Sequence, residues 1–98
     1  MPVKNYSKKG MVCRVTFDLP KGIEAEKISL CGEFNNWNPK AHPMKKRKDG
    51  RWSITISLKT GNAYRYKYLL DGKHWENDWS AERYMSNCYG TEDSLINL

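Results

Sequence analysis

Residues 49–72 read D-G-R-W-S-I-T-I-S-L-K-T-G-N-A-Y-R-Y-K-Y-L-L-D-G, and this stretch decides the fold class. Trp52, Ile54, Ile56 and Leu58 alternate with Arg51, Ser53, Thr55 and Ser57, then Tyr64, Tyr66, Tyr68 and Leu70 alternate with Arg65, Lys67 and Leu69. A two-residue period places one set of side chains in a core and the other toward solvent, so both runs are expected to be strands. Asp49-Gly50, Thr60-Gly61-Asn62 and Asp71-Gly72 supply turn residues at each end, and Asp-Gly between extended runs predicts a hairpin. Trp52 is expected in the core. If the tyrosines point inward, Arg65 and Lys67 point outward together.

Upstream, Met11, Cys13, Val15 and Phe17 repeat the alternation until Leu19-Pro20-Lys21-Gly22 ends it, and Ile28, Leu30 and Gly32 alternate with Ser29, Cys31 and Glu33. Met44 opens a charged segment, Lys45-Lys46-Arg47-Lys48, whose simplest reading is an edge strand protected by charge. Downstream, 80–90 is irregular, and Leu95, Ile96 and Leu98 offer a closing strand. Apolar residues at helical spacing are missing and turn signals recur every 8 to 12 residues or so, which predicts an all-β sandwich. At 98 residues the chain suits one domain, taken as 10–98 behind a flexible basic tail at 1–9.

One stretch resists this pattern. Leu30–Pro39 reads L-C-G-E-F-N-N-W-N-P and sets Trp37 among Asn35, Asn36, Asn38 and Pro39, residues that favour turns and water. A flat apolar ring framed by amides suits a ligand apolar on its faces and hydroxylated round its rim, which describes a pyranose. Trp75, just past the Asp71-Gly72 turn, has a similarly polar setting in His74, Glu76 and Asn77, while Trp79 fits either core or surface.

In order along the chain, Gly32-Glu33-Phe34-Asn35-Asn36-Trp37, Asp49-Gly50-Arg51-Trp52, Tyr66-Lys67-Tyr68, Asp71-Gly72 with Trp75, and Gly90-Thr91 resemble carbohydrate-binding module family 48. This is the isoamylase N-terminal or early-set domain, found also as the glycogen-binding domain of the AMP-activated protein kinase beta subunit. The resemblance implies an immunoglobulin-like sandwich of about seven antiparallel strands that binds α-1,4-linked glucans such as glycogen, starch or maltooligosaccharides. Carried over, Trp37 and Trp75 are the stacking platforms, Lys67 hydrogen-bonds sugar hydroxyls and Thr91 adds a hydroxyl. Tyr89 and Asp93 are departures, standing where the kinase-type domain has a leucine that pushes against the glucan and an asparagine. Asn can donate and accept, whereas an ionised Asp93 can only accept.

Other classes are weighed on the same residues. A net charge of +6 and the run 45–48 keep an acidic partner or nucleic acid in view, but no recognition helix, zinc-finger spacing or RNP-like aromatic motif accompanies them. Glu33, Asp71, Glu76, Asp78, Glu82 and Glu92 lie in or near loops, none in a catalytic motif, so no enzyme activity is expected. Cys13, Cys31 and Cys88 are odd in number and, with His42 and His74, lack metal-ligand spacing. Neither metal nor cofactor is expected. No apolar run reaches the roughly 20 residues of a membrane span, and the start lacks a signal-peptide core, so the cytoplasm is the expected compartment. The chain is thus expected to serve as a stand-alone targeting or sensing module in glucan metabolism. Docking onto a separate glucan-metabolising enzyme is the alternative.

Overall fold

The computed structural model describes residues 2–98 and is a sandwich of two antiparallel sheets. The first sheet runs β1 (Val3–Tyr6), β2 (Val12–Asp18), β5 (Trp52–Lys59), β4 (Lys45–Lys46); the second runs β3 (Ile28–Gly32), β6 (Ala63–Leu70), β9 (Glu92–Asn97), β8 (Arg83–Ser86), and β7 (His74–Glu76) also pairs with β6. Cys13, Val15 and Phe17 of β2, Trp52 and Leu58 of β5, Ile28 and Leu30 of β3, Tyr66 and Tyr68 of β6 and Ile96 of β9 fill the space between the sheets. The period-two reading of these strands therefore gives most of the core, except that Met11, grouped with it by period, precedes β2 and is exposed. Among the described residues no helix is long and apolar enough to cross a membrane.

Four features depart from the sequence expectation. Residues 3–6 of the expected tail form β1, paired with β2 from Val3↔Thr16 to Tyr6↔Cys13, and Lys4 donates to the Asn97 carbonyl at 2.8 Å while pairing with Glu82. Backbone pairing needs no alternation, so a mostly exposed edge strand leaves no periodic trace. The same holds for β8 within the segment read as irregular: Arg83, Tyr84, Met85 and Ser86 are all exposed, and β9 pairs with them through backbone alone. Met1 lies outside the described residues. Third, Cys31 is buried although it alternates with the core set, and burial raises its thiol pKa to about 11. Fourth, the described residues form nine strands where about seven are expected, the short ones being pieces of four residues or fewer.

Segment 42–46 closes one side of the sandwich. Leu30 and Met44 N–H groups bond the His42 and Ile28 carbonyls beside β3, and the next two residues, Lys45 and Lys46, pair with Ser53 and Trp52 in the other sheet. The basic run thus begins as an edge strand, as its charge suggested.

A buried carboxylate, Asp78, ties the second sheet together. Tyr66 and Tyr68 donate their phenols to Asp78 Oδ2 at 2.7 and 3.3 Å, the Ser80 N–H donates to Oδ1, and the Asp78 N–H bonds Ser94 Oγ at 2.8 Å. Trp79, half-exposed, stacks on Tyr68. Burial foremost, and then the adjacent Asp78 charge, push both phenols well above the ordinary value of 10.0. A folded-state pKa above the unfolded one means that the folded form holds the proton longer, so stability is full below pH 10 and falls above it. Each phenol should remove about 1.4 kcal/mol per pH unit in that window, and Cys31 should begin the decline near pH 9. Denaturant melts from neutral pH to about pH 11 should record the loss, flattened in Tyr68→Phe; pH-independent stability would contradict it.

Candidate functional site

The motif 32–37 resolves into distinct physical tasks. A Cβ on Gly32 would lie 2.6 Å from the Arg65 carbonyl oxygen and 2.7 Å from the Phe34 ring, so only glycine lets β3 and β6 approach here. Glu33 accepts the Arg65 N–H at 2.7 Å. Phe34 anchors the loop against Phe17, His42 and Tyr64. Asn35 accepts the Gly32 N–H and donates to the Leu30 carbonyl and to His42 Nδ1 at 2.8 Å, so it is structural rather than a solvent-facing turn residue. Asn36 and Trp37 then both take left-handed φ values, 53° and 58°, and the Trp37 N–H bonds the Gly32 carbonyl. A left-handed tryptophan costs about 1 kcal/mol or more and persists only where its surroundings impose it. Here that conformation turns the indole away from the core and toward β7.

On the outer face of the second sheet, β6 is paired along one edge by two strands in succession. Ala63 to Tyr66 face β9, Tyr68 to Leu70 face β7, and Lys67 stands at the split. One further step of the β9 register sets Asp93 beside Lys67, and their side chains meet at 3.5 Å. Trp75 of β7 lies opposite Leu69 on this same face, which accounts for the burial of a leucine there. The divergence of β7 from β9 therefore opens a cleft over Lys67.

That cleft measures about 900 Å³, within the usual range of ligand sites, and its wall includes all six residues singled out from sequence: Trp37, Lys67, Trp75, Tyr89, Thr91 and Asp93. Trp37 and Trp75 meet edge to face, centroids 6.4 Å apart and planes at 74°. Trp75 is 48% exposed and Tyr89, on the 86–91 turn, 86%. Sequence reasoning did not assign Glu33, Arg65, Ser86, Asn87 or Cys88 to this site, which they also line. Arg65 was signalled by its spacing from Lys67. Asn87 was hidden in an irregular segment, yet its Oδ1 accepts the N–H groups of Tyr89 and Thr91 and so shapes the turn. The three thiols are free, Cys88 alone being exposed.

Three of the six loop carboxylates are committed to structure. Asp78 is buried under tyrosines, Glu33 caps Arg65, and Asp71 accepts the Glu26 and Lys27 N–H groups at 2.8 and 3.0 Å. The bonds from Lys27 and Glu26 hold the Asp71 carboxyl below its ordinary pKa.

An immunoglobulin-like sandwich that sets two edge-to-face indoles in the wall of an open cleft, with Lys67 between its strands, has the form of a binding module. The chain belongs to carbohydrate-binding module family 48, the isoamylase N-terminal domain, whose family model matches residues 23–90. The family is one of non-catalytic carbohydrate-binding modules. The chain is 38% identical over 71 residues to the 1,4-alpha-glucan branching enzyme GlgB of Prochlorococcus marinus, covering 71% of this chain and 9% of that enzyme. It is 34% identical over 70 residues to the GlgB of Synechocystis, covering 63% and 9%, and 39% identical over 64 residues to the 1,4-alpha-glucan-branching enzyme of Emericella nidulans, covering 59% and 9%. It therefore spans less than a tenth of the length of these relatives.

Proposed function

We propose that the chain binds α-1,4-linked glucans without catalysis, by stacking sugar faces on Trp37 and Trp75 with Lys67 donating to hydroxyls between them. The carrying observation is the pair of indoles bordering one cleft with planes at 74°. Consecutive glucoses in an α-1,4 chain turn relative to one another, so inclined platforms match a curved chain, whereas a flat β-1,4 chain prefers coplanar rings. Tyr89 adds an exposed aromatic at the rim, and Thr91 and Asp93 stand beside the Lys67 ammonium. The relatives named as 1,4-alpha-glucan branching enzymes agree in ligand class. Each buried indole contributes on the order of 1 to 2 kcal/mol, which supports micromolar to millimolar affinity. In that range a module acts by bringing its bearer to a polysaccharide with many sites, a targeting or sensing role.

The test is a titration of intrinsic tryptophan fluorescence with maltoheptaose and with a β-1,4 glucan of equal length. A saturable response to maltoheptaose alone is expected, little changed by salt because stacking releases no counterions. A response to neither sugar would end the glucan reading; steep salt-dependent binding of nucleic acid in its place would favour the phosphate alternative.

A further inference from the structure

Asp93 is only 7% exposed and its carboxylate is already occupied. Oδ2 accepts Arg65 Nη1 at 3.3 Å, while Oδ1 accepts Asn87 Nδ2 at 2.9 Å and lies 3.5 Å from Lys67 Nζ. Arg65 also donates to the Ser86 carbonyl at 3.2 Å, fastening the counter-ion to the start of the turn. The Thr91 hydroxyl is similarly engaged: it gives its proton to Asn87 Oδ1 at 3.2 Å and accepts Asn87 Nδ2 at 2.8 Å and Lys67 Nζ at 3.4 Å. A hydroxyl has one proton and two lone pairs, so both acceptor positions on Thr91 are filled. Lys67 differs. Its ammonium has three protons, and Asp93 and Thr91 take two.

We propose that Asp93 and Thr91 are positioning residues rather than sugar ligands: with Arg65 as counter-ion and Asn87 as bridge to the turn, they aim the Lys67 ammonium, whose third proton makes the polar contact with the glucan. This rests on the glucan reading above. A free lysine would forfeit roughly tenfold in affinity on being ordered by the ligand, and the clamp removes most of that loss beforehand.

The test is a double-mutant cycle on the maltoheptaose dissociation constant, using Asp93→Asn, Lys67→Met and both together. A direct sugar ligand would tolerate Asp93→Asn well, since an amide both donates and accepts. A positioning carboxylate would not, because the charge facing Lys67 and Arg65 is lost. The expected result is about fivefold weaker binding for Asp93→Asn, and a change within about twofold when Lys67→Met is already in place. Thr91→Val, which keeps shape and leaves Asp93 intact, runs the same cycle should Asp93→Asn fail to fold. Unchanged or tighter binding by Asp93→Asn overturns the proposal, as does an equal loss from Asp93→Asn in the wild type and in the Lys67→Met variant. A wild type that ignores maltoheptaose overturns the glucan reading and the clamp together; additive losses in a wild type that binds overturn the clamp alone.

Discussion

Trp75→Ala is expected to weaken maltoheptaose binding by about 30-fold, near 2 kcal/mol, and Trp37→Ala by a comparable factor. Each substitution removes one stacking face, and each also removes the brace that holds the other ring, because the two indoles pack edge to face. The double variant should therefore lose less than the product of the single losses, as expected for neighbours that share one contact. Fold stability should change little at Trp75, which is half-exposed, apart from the uncovering of Leu69. Calorimetry is the suitable readout, since the substitution deletes part of the fluorescence signal. Full affinity retained in both single variants would exclude stacking as the source of binding.

Gly32→Ala should destabilise the fold by about 3 kcal/mol, lowering Tm by roughly 15 °C. The cost is not conformational, because Gly32 has an extended φ of −171° that any residue adopts. It is steric: the new methyl would lie 2.6 Å from a backbone oxygen of β6 and under 3 Å from two ring atoms of Phe34. The Phe34 ring could turn only by leaving its contacts with Phe17 and Tyr64, and the carbonyl only by parting β3 from β6. Gly61→Ala is the comparison. Its Cβ meets nothing, but φ is +79°, so the loss should be about 1 kcal/mol from backbone strain alone. A Gly32→Ala protein with the wild-type denaturation midpoint would show that the strands separate without penalty.

Gly32 and Trp37 stand at opposite ends of one short motif, and the contrast between them explains what could be read in advance. Trp37 was conspicuous because its neighbours in the chain are polar. Asn35 looked equally polar and equally exposed, yet its amide is bonded to Leu30 and His42; both are local or near-local groups, but nothing in residue type reports that they meet. The carboxylates divide the same way. Asp71 carries a turn signal in Asp-Gly and sits in that turn with φ 53°, whereas Asp78 reads as one more loop acid and is buried under two phenols.

From residues alone came the strands with one buried face, the Asp-Gly turns between them and the two displaced indoles, because period two, turn chemistry and polar surroundings are all recorded within a few neighbours along the chain. Tertiary structure alone decided that residues 3–6 and 83–86 pair as edges, that Cys31 is covered, and that β9 and β7 share one side of β6. Edge strands pair through backbone, which every residue carries equally. The split along β6 brings together residues up to 60 positions apart, from Glu33 to Asp93, and a separation of that length leaves no mark in local pattern.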